Sequence, residues 1–426
     1  MKEDLLHFVW RYRKYPLNHL FTTLGESLRV LQPGTHNQHA GPDFFNAQLH
    51  INEQLWAGNV EIHLKASDWY AHHHQIDPNY NNVILHVVWE DDVAVFRSDG
   101  SIIPTLCLKE YIPKPVLDTY QRLFDAKNYQ FINCEREIGE IGGFVLNQWS
   151  DRLFIERLEH KSRLIYELLE FTNNDWEYVL FLMLLKNFGS KINGDLFLQL
   201  GKSMDFSIIR KLAGEPLKLE SLFMGQAGLL HNENIEDSFY RDLKKEYTYL
   251  KHKYQLKEQL DIAPAFFKLR PSNFPTIRLS QMAQLYAANH QLFQSVMEPG
   301  EHPIAHYFAV GTSSYWDDHY TFGKTSKKAQ KKLTSNFIEL ILINTIVPLK
   351  FCYERFKGNR NTDEIFAMMD ALKKENNSII DKFDSLGVNM ESAKTSQAFL
   401  QLYTYYCTHN KCLDCAIGAR LMNIKG

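Results

Sequence analysis

Two stretches decide how the amino-terminal part of this chain folds: Leu55-Trp56-Ala57-Gly58-Asn59-Val60-Glu61-Ile62-His63-Leu64 and Val83-Ile84-Leu85-His86-Val87-Val88-Trp89. The second is almost continuously apolar and β-branched, which predicts a central strand covered on both faces. The first alternates. Strand period 2 puts Val60, Ile62 and Leu64 on one face toward a core, and Glu61, His63 and Lys65 together on the other. Residues 47–51 alternate as well, and Asn52-Glu53-Gln54 supplies a turn, so the two alternating runs predict a hairpin. Before them, Leu5, Leu6, Val9 and Trp10 share one face of a helix. After them, Ser67-Asp68-Trp69 reads as the cap of a short helix that ends before Asp77-Pro78. Residues 93–107 predict another hairpin, with its turn at Ser98-Asp99-Gly100.

From about residue 140 the period changes to 3.6. Leu153, Ile155, Leu158, Leu164, Ile165, Leu168 and Leu169 recur at helical spacing, and so do Val179, Leu180, Leu182, Leu184 and Leu185. Helical patterning runs to the end, interrupted at 261–277 and 298–324. The expected architecture is an α/β domain with a mixed sheet over 1–135 and a larger all-α domain over 136–426. A length of 426 residues exceeds one hydrophobic core. The balance of 47 basic against 50 acidic residues, net −3, excludes a globally basic nucleic-acid coat, so any polyanion site must be a local patch. The apolar run at 337–351 carries Glu339, Asn344, Pro348 and Lys350, and reads as a buried helix rather than a membrane span. With no signal-like start, a cytoplasmic protein is the expectation.

Ten of the 18 histidines fall in the first 90 residues, so metal or proton chemistry is to be sought there first. Asp43, in Gly41-Pro42-Asp43-Phe44, precedes the first hairpin strand, and the hairpin would bring it near Glu61. Two carboxylates and the His63 imidazole can hold one divalent cation with positions open for water and substrate. Pro42-Asp43, a hairpin, then Glu61-Ile62-His63 resembles the PD-(D/E)xK nuclease superfamily, whose restriction-endonuclease-like core is helix, hairpin, helix, strand. The resemblance implies that Asp43 and Glu61 bind Mg²⁺ or Mn²⁺, in a hydrolase cleaving DNA or RNA. His63 stands where that superfamily has lysine. It is then a third ligand, a general base or a mark of lost activity, with Lys65 one pleat further as the substitute cation. GPDFFNAQLHI, GNVEIHLKASDW, YNNVILHVVWEDD, RPSNFPTIRLSQMA, YWDDHYTFGKTS and CLDCAIG resemble, over nearly the whole chain, an uncharacterised bacterial domain-of-unknown-function family. Of His72, His73 and His74, one is expected to face the site, His72 by its spacing from Asp68. His86, in the apolar strand, reads as a core histidine.

Two stretches of the helical part suit phosphate. Lys268, Arg270 and Arg278 surround a helix start, whose free N–H groups favour anions. Lys324, Lys327 and Lys328 open a lysine run, and Tyr315-Trp316 before them offers rings for base stacking. A solvated helix face would account for that run equally well. Gly323-Lys324-Thr325 is no P-loop, because the glycine required five residues earlier is Asp318. Cys407, Cys412 and Cys415 have metal-ligand spacing, for zinc or an iron–sulfur cluster. Cys352 or His409 would be the fourth ligand. Some nucleases of the superfamily carry a cluster with one upstream and three terminal cysteines, which implies Cys352. Three readings stay open: a metal-dependent nuclease, an inactive nuclease-like nucleic-acid-binding protein, and a scaffold. No pattern fixes an oligomeric state.

Overall fold

The computed structural model describes residues 2–423 apart from 38, 126, 128, 257–262, 299 and 301. The chain forms two compact units. The first holds residues 1–150, 377–389 and 399–426, and the second 151–376 and 390–398. A single cut at 135 therefore misses the return of the carboxyl-terminal chain to the sheet-bearing unit. Its cause is apolar: Leu413 and Met422 are buried in the same core as Leu5, Leu6 and Trp10.

The first unit begins with α1 (Glu3–Arg11), which carries Glu3 and Asp4 in its first turn and Arg11 in its last, matching the helix dipole. The sheet follows, with β1 (Leu20–Phe21), β2 (Ser27–Gln32), β3 (Thr35–His36), β4 (Phe44–Ile51) and β5 (Gln54–Lys65). Then come α2 (Asp68–Ala71), β6 (Val83–Glu90), β7 (Thr105–Cys107) and α3 (Lys114–Phe124). The spatial order is β1-β2-β4-β5-β6-β7, with β3 against β4. The expected hairpin is β4–β5, antiparallel, closed by a two-residue turn between Ile51 and Gln54 in which Asn52 takes φ 53°. β5 and β6 are parallel, so the chain must cross over. The crossover is α2 plus two single-turn helices, His74–Ile76 and Pro78–Tyr80.

β6 is central, as its continuous apolar run requires, and its first six residues are buried. Leu85 and Val87 join Val60, Ile62 and α1 in one core. Val83 and Val88 join Trp69 and Tyr80 in a smaller one on the crossover side. Burying each such side chain stabilises the unit by roughly 2 kcal/mol. The second predicted hairpin forms only as a turn at 97–100 and an isolated bridge between Phe96 and Ile102. Residues 105–107 instead lie parallel to β6, and the His86 N–H donates to Pro104 O at 2.9 Å. Those donors would otherwise be buried without a partner.

The second unit is predominantly helical. α4 (Gly143–Phe171) leads into it, followed by α5 (Trp176–Phe188), α6 (Ser190–Lys202), α7 (Phe206–Leu212), α8 (Pro216–Gln226), α9 (Ser238–Tyr254) and α10 (Pro275–Ala288). The apolar run at 337–351 lies in a helix spanning Ser335–Phe356, long and apolar enough to cross a membrane, though 72% of its most apolar window is buried. It widens to a π-turn at Leu342–Ile346 just before Pro348, whose ring excludes the regular bond to the preceding turn. The interruption at 261–277 has its first two residues outside the described ones. A helix does start at Pro275, as expected.

Arg278 does not present itself to a phosphate. It is buried, donating to Gln281 Oε1 at 2.9 Å and to Asn273 Oδ1 at 2.6 Å, with its guanidinium 3.5 Å from the centre of the Phe337 ring. Burial pulls its pKa down to about 10. The lysine run is no helix face either. After the short strand Lys324–Thr325 the chain is irregular, with Lys324, Lys327 and Lys328 exposed. Lys331 is buried, donating to Trp316 O and Asp317 O. Trp316 is fully buried and donates to Glu220, and Tyr315 stacks on His319 and Phe239. These rings are consumed by packing. Lys268 and Arg270 are exposed. Arg278→Ala is expected to lower stability by about 2–4 kcal/mol, since it leaves buried amide groups unpaired. Lys327→Ala should cost less than about 0.5 kcal/mol. Urea unfolding of the two variants beside the parent measures both.

Candidate metal centre

β5 places Glu61 and His63 on the face opposite Val60 and Ile62, as strand period requires, yet both side chains are buried. The crossover covers them. α2 ends at His72, and His73 then takes a left-handed conformation, φ 61°, which folds the chain back so that His74 also reaches β5. His63 Nε2 lies 3.2 Å from His72 Nδ1, and Glu61 Oε1 lies 3.5 Å from His63 Nε2 and 3.3 Å from His74 Nε2. One donor atom from each of His63, His72 and His74 falls within 4.8 Å of the other two. Tyr80 stacks on the His74 ring at 3.7 Å and holds it there.

His86, the neighbour of Glu61 in the β5–β6 register, completes the imidazole layer. Its Nε2 is 2.9 Å from His63 Nδ1. With His63 Nδ1 as the donor across that contact, its Nε2 lone pair would face His72, His74 and Glu61. A ligating histidine is commonly oriented by such a partner on its other nitrogen. The arrangement leaves His86 Nδ1 buried with no partner among the described residues. A buried unsatisfied group of this kind costs roughly 1–3 kcal/mol.

The electrostatics favour neutral rings. Burial, then the neighbouring His86, His74 and His72, push the His63 pKa down to about 2. Burial and then His74 push His86 down to about 3. Burial, then the Asp43 charge, push Glu61 up to about 9. Neutral imidazoles and a carboxyl that releases its proton on ligation form a donor set suited to one divalent ion, with His63, His72, His74 and Glu61 as the residues able to hold it.

Asp43 sits on the other side of Glu61. Its N–H donates to Glu61 Oε2 at 3.1 Å, and Ile62 N–H donates to Asp43 Oδ2 at 2.9 Å. A bulge in β4 at Asn46, φ 58°, gives the strand the bend that brings Asp43 across from Glu61. Asp43 Oδ2 is also 3.4 Å from His7 Nε2, and His7 Nδ1 is 3.4 Å from His36 Nε2. Burial disfavours the charged form of His7, but the hydrogen bond and charge of Asp43 outweigh it and raise its pKa. His7 and His36 line a cleft of about 240 Å³ together with Lys2, Arg11, Lys411, Asp4 and Asp414.

Lys65 does not join this group. Its side chain is exposed and pairs with Glu90 at 4.0 Å. Cys352 lies in the second unit, its thiol bonded to Ser162 and Tyr166. Cys407, Cys412 and Cys415 come together with Cys134 in the first unit.

Residues 3–378 match the family described as "Protein of unknown function (DUF2851)". The chain belongs to this family. No curated protein and no solved structure matches it.

Of the residues gathered here, His7 and His36 escaped sequence reasoning, and where the sequence predicts that one of His72, His73 and His74 faces the site, both His72 and His74 do. The concentration of histidines signalled the region, but only the left-handed turn at His73 shows that His72 and His74 converge. For stability against pH the signs are fixed. His63 and His86 have folded pKa values below the unfolded one, so their contribution is present above about pH 6.5 and lost as pH falls toward the folded values. Glu61, raised, opposes this: its contribution is present below about pH 4.5 and lost as pH rises toward 9. His36 and His74, lowered by burial, act in the same sense as the other two rings. Glu3 and Glu220, raised by burial, act in the same sense as Glu61. In chelator the loss of stability contributed by the imidazoles below about pH 6.5 is therefore opposed by carboxyls, of which Glu61 is the one that a substitution at the site isolates. Glu61→Gln removes its share of that opposition and should steepen that loss by roughly 1 kcal/mol per pH unit, measured by urea unfolding at stepped pH.

Proposed function

We propose that this protein is a metal-dependent phosphodiesterase acting on DNA or RNA, with its site at the end of β5. The observation that carries the reading is the donor set of His63, His72, His74 and Glu61 beside Asp43. The order of elements supports it: α1, an antiparallel hairpin, the α2 crossover, then a strand parallel to β5. That is the order of the PD-(D/E)xK superfamily. Glu61 stands beside the imidazoles, whereas Asp43, the expected second acidic ligand, accepts from Ile62 N–H and pairs with His7, and so supports the site rather than joining the donor set.

A divalent cation held there would neutralise charge on the scissile phosphate and lower the pKa of an attacking water. Three imidazoles and one carboxylate select Mn²⁺, Fe²⁺ or Zn²⁺ over Mg²⁺, which prefers oxygen. The chain's own groups divide the remaining work. His63 is a ligand: as a neutral ring it cannot supply the positive charge of the superfamily's lysine. His7 can. Held by Asp43 with its pKa raised, it stands at the mouth of the cleft as a cation or proton donor. Lys2, Arg11 and Lys411 line that cleft together with Asp4 and Asp414, so its charge is mixed, and the three cations would be its contacts to phosphate. Lys268, Arg270, Lys324, Lys327 and Lys328 remain available to nucleic acid by their exposure, so binding would weaken as salt rises.

Two measurements test the reading. Calorimetry with Mn²⁺ at pH 7, in buffers of different ionisation enthalpy, should show about one proton released per ion, because Glu61 must deprotonate. Glu61→Gln should abolish that release. Incubation of the parent with single- and double-stranded DNA and RNA in Mn²⁺ should give cleavage, reduced about 100-fold or more in Asp43→Asn and His63→Ala. Metal binding without cleavage would favour an inactive nuclease-like protein that binds nucleic acid. Cleavage unchanged in both variants would overturn the assignment.

A further inference from the structure

The first unit gathers a second set of metal-binding side chains. Cys134 enters from the segment after α3, and Cys407, Cys412 and Cys415 come from the carboxyl-terminal chain. All four line one small cavity, with Leu402 and Ile417 among its apolar walls. No disulfide joins them. Burial raises the pKa of each thiol, and the thiols raise one another: Cys134 feels Cys415, Cys407 and Cys412, and Cys412, pushed up to about 12, feels Cys415. Three buried thiols and the half-buried Cys407, close enough to interact and facing one cavity, form a soft-ligand site.

The backbone is shaped to hold them there. Cys407–His409 and Cys412–Asp414 are single helical turns, separated at Asn410 by a left-handed residue, φ 54°. Gly418 seats the last helix, Ala416–Leu421, directly on the loop: a Cβ there would stand 2.0 Å from Cys412 O. The backbone N–H groups of Ile417 and Gly418 point at the Cys415 sulfur and favour its thiolate.

Spacing discriminates between the metals. Among the described residues, the group whose donor atoms lie within 4.8 Å of one another is the histidine cluster, and the cysteines form no such group. A single zinc with bonds of about 2.3 Å would draw its sulfurs to about 3.8 Å apart. An iron–sulfur cluster interposes a cage of iron and sulfide, and its ligand sulfurs stand further apart.

We propose that Cys134, Cys407, Cys412 and Cys415 ligate one iron–sulfur cluster that fastens the carboxyl-terminal segment to the sheet-bearing unit. Ligation exchanges four S–H bonds for four Fe–S bonds and releases four protons, with two ferrous ions, two ferric ions and four inorganic sulfides supplying the cluster, so that no electron is gained or lost. Lys411, next to Cys412, lines both this cavity and the cleft beside His7, so the cluster also fixes one wall of that cleft.

The test is reconstitution of the full chain without oxygen in equal ferrous and ferric iron with sulfide, followed by desalting and assay of iron, acid-labile sulfide and zinc. The parent should retain about four iron and about four sulfide per chain, with broad visible absorption. Cys134→Ser and Cys412→Ser should each lose nearly all the sulfide, whereas Cys352→Ser should keep it. Sulfide distinguishes the cluster from iron bound by the histidines, which brings none. One zinc without sulfide in the parent, no retained sulfide, full retention by Cys134→Ser, or loss in Cys352→Ser would each overturn the proposal.

Discussion

The burial of the His63 imidazole is the constraint on which the amino-terminal unit is built. A ring at the middle of a sheet, covered by a crossover, must be neutral and must place two nitrogens. His86 from the adjacent parallel strand takes one of them, and the other faces His72, His74 and Glu61. The parallel pairing of β5 with β6 follows from the same demand, because it sets His86 beside Glu61 and lets residues 66–82 close over the cluster. Trp69 and Tyr80, packed against these rings, show how much apolar surface is spent to keep them dry.

A dry imidazole cluster that nothing neutralises is unfavourable. Three ring nitrogens turned toward one another repel unless protons or a cation stand between them, and burial opposes protonation. The carboxyl of Glu61 is forced toward its neutral form for the same reason. A divalent ion would relieve both penalties at once, so the fold's least comfortable feature is also the strongest argument for its chemistry. Asp43 and His7, on the wetter side of Glu61, form a different kind of pair, in which a carboxylate supports a cation at the lip of a cleft.

Much of this was legible in the sequence, for local reasons. The apolar run at 83–89 and the alternation at 55–64 are strand signals that tertiary structure had no cause to override. Asp43 and Glu61 follow from the register of a hairpin whose turn, at Asn52, is written in residue type. What could not be read depends on non-local geometry. The parallel placement of Thr105–Cys107 arises from an edge of β6 that only exists once the sheet has formed. Cys134 is more than 250 residues along the chain from the other three cysteines, so spacing left Cys352 or His409 open as the fourth ligand and only the resemblance favoured Cys352. Arg278 carries a surface residue's charge in a buried setting because Asn273, Gln281 and Phe337 happen to surround it.

The central claim is that the histidine cluster is a cation site rather than a self-satisfied hydrogen-bonded knot. Anomalous diffraction from crystals of the full chain grown with Mn²⁺, collected on both sides of the manganese edge, tests it most directly. The account predicts one strong peak in ligating contact with His63 Nε2, His72 Nδ1, His74 Nε2 and the Glu61 carboxylate. Rings that stay hydrogen-bonded to one another, with no peak among them at saturating Mn²⁺, would contradict it.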